Sequence, residues 1–521
     1  MSRRLLSVRK SKSRSRHARN GPYSHVDAWE KLGNPGWNWA DYLRYSKKVE
    51  TFHPPAKEQT DRFPHTYDAD IRGTSGPIHV TIPPHVHTVD ALVQRTLVNM
   101  GIRVIEDPYK GDISGTWIGS ANLDPKTWTR SYSATAYLSP SQNRPNLTVL
   151  LGALASRITF ADESDDLGLT ATGLEFIHQG KRYVVNAQKE VILSAGVPKS
   201  SQILELSGVG RADVLSRIGV EPKIKLPGVG ENLQEHEFFA VSYELNPATK
   251  HETPDLLRES EYAREALQLH AEGKGIMRTG ITSFTYIPLS SVKTPGAAKL
   301  VQKIEREIEE WKNEPGILPG FQKQLDMQLA TLRDDSLPDF EIVAFPGLFS
   351  TTATPGPGKF YTSFMGFLNH PLSRGTVHAT TNDPEDNPEI NPHYFEKDSD
   401  LELMVQTFKY IRRMVHTEPL KSGIVQPEVE PGPHCTTDEH IRDFIKNTHH
   451  TVWHGVGTCS MLPRDEQGVV DPSLKVYGTT NVRVVDLSVV PLHIAAHAQS
   501  TAYVIAEKAA HIISSAHEPV L

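Results

Sequence analysis

Three segments near the C-terminal end decide how the chain is read: HTVWHGVGTCSM (450–461), GVVDPSLKVYG (468–478) and NVRVVDLSVVPLHIAAHAQSTAYVIAEKAA (481–510). His454 stands in the first and His497 in the last. Between them Val482-Arg483-Val484-Val485-Asp486 alternates as a buried strand does. After His497, Ala502, Ile505, Ala506, Ala509 and Ile512 recur at helical spacing. One histidine therefore precedes a strand, and the other stands where a loop enters a helix. That geometry brings both imidazoles toward one point above a bound group.

These segments follow one another in an order and spacing that resemble the C-terminal signature of the glucose-methanol-choline (GMC) family of flavin-dependent alcohol oxidoreductases. The matching pieces are His454 to Met461, Val469-Val470-Asp471, Val482 to Ser488, and His497. Working outward, LPGVGENLQEH (226–236) resembles a loop of the same family, with Glu235 where Asp is usual. Gly196 to Gly210 resembles its second signature, although Val197, Lys199, Ser201 and Val209 depart from it. Arg130 to Leu138 and His370 to Val377 resemble further family elements, and the likeness extends over about residues 20 to 515.

The resemblance implies an α/β fold: an FAD-binding, Rossmann-like domain of the para-hydroxybenzoate-hydroxylase type beside an α+β substrate domain with an antiparallel sheet. A strand–GxGxxG–helix unit that holds the FAD pyrophosphate normally opens such proteins. None is found here, and the first βαβ unit is expected to be missing. Gly228-Val229-Gly230 lacks the third glycine and the following helix. The expected division is a basic tail at 1–19, an FAD-binding domain from 20–60, 130–240 and 448–521, and a substrate domain from 61–129 and 241–447.

By the same resemblance FAD is the cofactor and a small-molecule alcohol the substrate, with oxygen or another molecule as final acceptor. Alcohol oxidation needs a base for the hydroxyl proton, and no protein side chain accepts a hydride, so a cofactor must. His454 is the expected base and His497 its partner on the same oxygen. Leu154 and Ala155 are placed near the adenine half of FAD, and Asp486 near the ribityl-phosphate region. Ser194, Ala195 and Gly196, small residues ending a strand, allow close approach of a ligand. Trp453, Leu487, Ala498 and Gln499 complete the cofactor set, with Ser500 a donor beside Gln499. The other reading is a family remnant that lacks FAD and activity.

Bulk properties narrow the field. At 521 residues the chain is too long for one core. A net charge of −7 disfavours nucleic acid as a main partner, and no apolar run is long enough to span a bilayer. Two cysteines, Cys435 and Cys459, form neither a disulfide framework nor a CxxC. His450/His454 and His493/His497 have zinc-like spacing, but Gly455, Gly457 and Pro491 break the helices this needs, so no metal is expected. There is no GxSxG elbow for a hydrolase. Residues 1–19 are rich in Arg, Lys and Ser without an acid, a composition shared by presequences and nucleic-acid tracts; a solvated tail is expected. The cysteines leave the compartment open; with no apolar signal region visible, the cytoplasm is the location expected of this chain.

Elsewhere the patterns predict a Trp-rich helical segment over Asp27–Glu50, a loop over 51–75, an edge strand at 76–80, and a helix from Asp90 to Met100 followed by a strand at Val104. They predict strands at Arg144–Leu150, Gly152–Ile158 and Lys189–Gly196, and helices at Glu252–Glu272 and Pro295–Trp311. Strands at 339–345 and 360–367 should form the floor of a substrate pocket, followed by helices at Asp398–Val415 and Asp438–Asn447.

Overall fold

The computed structural model describes residues 22–57, 65–162, 168–249, 251–315, 317 and 319–517; the basic tail at 1–19 lies outside them. Its centre is a five-stranded antiparallel sheet in the order Ser283–Ile287, Phe340–Phe345, Tyr361–Leu368, Glu237–Glu244, His450–Thr451. Side chains alternate across a strand, so register decides which residues share a face. Tyr286 pairs with Glu341, Glu341 with Phe367, Phe367 with Phe238, and Phe238 with His450. All five therefore stand on one face, with Phe284, Val343, Met365 and Ala240 one step along.

The other face presents Phe239, Val241, Ile342, Ala344 and Phe364 to a helical layer, and this forms the larger core. The main helix there is Asp398–Val415, with the bounds its sequence pattern predicts. Asp398 and Asp400 lie in its first turn and Arg412 and Arg413 in its last, each sign complementing the helix dipole. Phe408 is fully buried, its ring 5.8 Å from that of Phe239. Because this face meets helices, it leaves the opposite face to line a site.

A second core gathers Trp29, Trp37, Leu193, Leu204, Val456, Val484 and Ile505. It surrounds a short parallel pair, Val191–Leu193 with Val482–Val484. A three-stranded antiparallel sheet of Ala153–Phe160, Ala171–His178 and Lys181–Asn186 stands beside it. Arg483, 1 % exposed, is held by both oxygens of Glu190 at 2.7 and 3.0 Å, which offsets the cost of burying its charge. The chain closes with the helix Gln499–His517.

Several expectations shift. No strand forms over Arg144–Leu150: Pro145 lacks an N–H, no strand among the described residues pairs with the segment, and Leu147, Val149 and Leu150 stay exposed. The strand expected at Gly152–Ile158 runs instead over Ala153–Phe160. Lys189–Gly196 contributes only three strand residues, with Ile192 45 % exposed rather than buried. The Trp-rich segment is two helices, Pro22–Lys31 and Trp39–Val49, broken at the turn where Gly33 and Gly36 take positive φ. Glu252–Glu272 divides into a 3₁₀ turn at Pro254–Arg258 and a helix at Ser260–Ala271. Val104 makes a single bridge to Thr116. Of the loop expected over 51–75, residues 58–64 lie outside the described set, and Glu50–His53 pairs in parallel with Ile78–Thr81. Strand Glu237–Glu244, the hairpin 171–186 and helix Pro319–Leu332 were not legible beforehand. Among the described residues no helix is long and apolar enough to cross a membrane.

Candidate active site

His454 and His497 stand with ring centroids 5.0 Å apart and ring planes at 80°. Neither lies within a regular element. The segment Asn232–His236 holds both loops. Gln234 and Val456 exchange backbone hydrogen bonds at 3.1 and 3.0 Å, and Val452 N donates to His236 O at 3.1 Å. This short antiparallel ladder lays 452–456 along 234–236. The Glu235 carboxylate accepts the backbone N–H of His454 at 2.7 Å and that of His236 at 2.9 Å. On the other side, Asn232 and Gln234 donate to Pro491 O, and Gln234 Oε1 accepts His493 N–H at 3.0 Å. The ladder requires Gly457, at φ +100°, because a Cβ there would stand 2.1 Å from Asn232 O.

The electrostatics of the two rings differ. Burial, then His497 and His493, pull the His454 pKa down to about 3, so its ring is neutral. Burial also acts downward on His497, but the Glu341 carboxylate, by its charge and its hydrogen bond to Nε2 at 3.0 Å, outweighs it and raises the pKa. Glu341 is 3 % exposed, whereas the His497 side chain is 42 % exposed and partly screened by solvent. Burial lifts Glu235 to about 7 against the donors it accepts. Below the pair the sheet face is aromatic: Phe284 meets His497 edge-on at 5.5 Å, and Phe238 stacks on Phe367 at 5.1 Å. His497 also lines a cavity of 210 Å³, together with Trp39, Tyr42, Trp117, Phe284 and Tyr286.

The other residues singled out in the sequence fall in two places. Ser194, Ala195 and Gly196 end the strand Val191–Leu193, and Asp486 ends its neighbour. Asp486 Oδ2 accepts Gly196 N–H at 2.9 Å and the Ser200 hydroxyl, and its Oδ1 accepts Ser488 N–H at 2.9 Å. Leu487 packs against the small cluster of Val197, Leu233 and Val377. Trp453 is 82 % exposed, Gln499 is exposed, and Ala498 is buried. Leu154 and Ala155 are half-buried on the strand Ala153–Phe160, and among the described residues no hydrogen bond or ring contact joins them to the histidines. Sequence reasoning missed Glu341, and it gave no role at this site to His236, the last residue of the loop 226–236, or to His493, which it weighed only for a metal. An acid at an inward position of the strand Phe340–Phe345 was the available signal for Glu341.

A flavin fits this surface at its ring end. Nothing stands within 4 Å of where a Cβ on Gly196 would lie, which leaves room for close approach. The first-turn N–H groups of the 19-residue helix Gln499–His517 have no intrahelical acceptor and follow directly after His497. Trp453, next to His454 in the chain, is exposed. Among the described residues no glycine-rich strand-to-helix turn offers a pyrophosphate cradle.

Models of GMC oxidoreductases match residues 18–238, for the N-terminal part of that family, and 371–506, for its C-terminal part. The chain is 34 % identical over 501 residues to the GMC oxidoreductase family protein Mala s 12 of Malassezia sympodialis, covering 94 % of this chain and 76 % of that protein. An FAD-dependent oxidoreductase from Chaetomium thermophilum superposes with a TM-score of 0.86 at 27 % identity, over 96 % of this chain and 84 % of the other. A fungal aryl-alcohol oxidase superposes at 0.84 and 26 %, over 95 % and 83 %.

Proposed function

Since the chain belongs to the GMC oxidoreductase family, with an FAD-binding domain beside an antiparallel-sheet substrate domain and FAD as its cofactor, we propose that it oxidises the CH–OH group of an alcohol with an apolar or aromatic body, His454 taking the hydroxyl proton. The observation that carries this reading is the pair of imidazoles 5.0 Å apart above a phenylalanine-lined sheet face. Neutral His454 has the form a base needs. His497, with its charged form favoured by Glu341, hydrogen-bonds the same oxygen and offsets the negative charge that develops there. Phe238, Phe284 and Phe367 take the body of the substrate, an apolar surface with few polar points to fix orientation. The aryl-alcohol oxidase among the similar structures is consistent with such a substrate.

FAD, when bound, supplies the hydride acceptor that no side chain provides. Ser194, Ala195, Gly196, Trp453, Asp486, Leu487, Ala498 and Gln499 would hold its flavin side, and Leu154 and Ala155 its adenine side. Oxygen or another molecule then takes the electrons.

The test is the visible absorption spectrum of the purified chain incubated with FAD. Flavin bands that bleach with benzyl alcohol, at a rate lowered about 10²–10⁴-fold in His454→Ala, are the expected result. A protein that takes up no FAD, or a His454→Ala variant that bleaches at the original rate, overturns the reading.

A further inference from the structure

A third histidine that the proposed chemistry does not use stands against the reacting pair. His236 ends the segment Asn232–His236 and is 4 % exposed. Its Nε2 lies 3.1 Å from the carbonyl oxygen of Asn369, and its Nδ1 lies 3.1 Å from Nδ1 of His454. A carbonyl only accepts, so Nε2 of His236 carries the hydrogen. Burial and the facing rings of His493, His454, His370 and His497 hold its pKa far below the usual histidine range, so the ring has no second proton and Nδ1 is a bare acceptor. Two nitrogens in hydrogen-bond contact share one hydrogen, and this one must come from Nδ1 of His454. The His454 lone pair is then on Nε2, for which the described residues provide no hydrogen-bond partner.

The ring stacked on His236 takes the same tautomer as His236. His493 stacks on His236 with centroids 3.7 Å apart and planes at 23°. Its Nε2 lies 3.0 Å from His454 O, which only accepts, and so carries the hydrogen; its Nδ1, 3.2 Å from Ile494 O, accepts the closer Ile494 N–H at 2.9 Å. In both His236 and His493 a backbone carbonyl at Nε2 draws the hydrogen to that nitrogen.

We propose that His236 is a positioning residue: its Nδ1 accepts the Nδ1–H of His454 and thereby presents the Nε2 lone pair of His454 to the alcohol hydroxyl. This rests on the reading of His454 as the base. Freed of that acceptor, His454 would populate the tautomer with hydrogen on Nε2, which cannot take a proton there.

The experiment is long-range ¹H–¹⁵N NMR of the full chain labelled at histidine, with His454 assigned by its loss in His454→Ala. Two near-isosteric variants separate function from folding. In His236→Asn the amide oxygen can accept where Nδ1 did. In His236→Gln the amide keeps a donor for Asn369 O and withdraws the acceptor from His454. The expected spectrum shows His454 with hydrogen on Nδ1 in the wild type and in His236→Asn, and a shift toward Nε2–H in His236→Gln. In the FAD-loaded protein, kcat in His236→Gln is expected to fall about 10-fold or more with little change in KM, and His236→Asn to restore most of it. A wild-type His454 with hydrogen on Nε2, or a tautomer unchanged in His236→Gln while His454→Ala is inactive, overturns the positioning role alone. Full activity in His454→Ala overturns the base assignment beneath it, whatever the spectrum shows.

Discussion

Glu341 is the residue on which the charge of the site turns. It is buried on the sheet face, flanked across the strands by Tyr286 and Phe367, and its carboxylate meets His497 at 3.0 Å. Glu341→Gln keeps the shape and removes the charge. The His497 pKa is then expected to move down, since the carboxylate is what raises it. The alkaline limb of kcat/KM governed by a protonated His497 should move to lower pH with it, and a pH profile unchanged by the substitution would contradict this assignment. His454 and His497 were legible in the sequence because each sits in an ordered series of motifs. The partners of Glu341 and His236 were not, because each is met only by a tertiary contact across more than a hundred residues.

At the scale of elements, Asp486 ties two secondary-structure ends together. It follows the strand Val482–Val484 and accepts from Gly196 and Ser200 on the strand-to-helix turn and from Ser488 on its own side. Replacing it with Ala leaves these donors without their acceptor, a cost of about 1–3 kcal/mol for a group left unsatisfied away from water. Asp486→Ala should therefore lower the urea midpoint, and weaker FAD uptake should accompany it, because Gly196 moves with the turn. An unchanged midpoint would show that water replaces the carboxylate. The motif around Asp486 was readable as a strand ending in an acid, but the target of that acid was not. The Arg144–Leu150 segment shows the converse: its composition is that of a strand, and no neighbour among the described residues supplies the backbone partners to make it one.

For the whole molecule, the buried titratable groups make opposite demands on pH. Burial first lowers His25, His87 and His493 to about 4, and His454 to about 3. These rings stay neutral in the folded chain while an unfolded histidine charges below about 6.5. Their contribution is present above that value and is lost as pH falls toward 4. Burial likewise raises Asp90, Asp339 and Glu235 to about 7 and Glu237 to about 9. An unfolded carboxyl ionises from about 4 upward, so their contribution is lost as pH rises through the folded values of 7 to 9. Above pH 6.5 only the second set still titrates. Between about pH 4 and 6.5 the two sets offset one another, and urea midpoints are expected to decline from pH 6.5 toward 9. The decline should be smaller in Glu237→Gln, which removes the highest of these carboxyl values. A midpoint rising from pH 6.5 to 9 would contradict the burial of these acids.

The sequence by itself determined the family, the cofactor, the pair His454 and His497, and helices as long as Asp398–Val415, because those signals are local: motif order, composition and a period of 3.6 residues. Only the tertiary structure decided that Phe238, Phe284, Glu341 and Phe367 share one face, since a strand has two faces and pairing register alone selects which side chains meet. It also decided that Asn232–His236 serves both histidine loops. Those contacts join Asn232, Gln234, Glu235 and His236 to groups more than two hundred positions away, and their formation depends on how the chain closes, which no local pattern encodes.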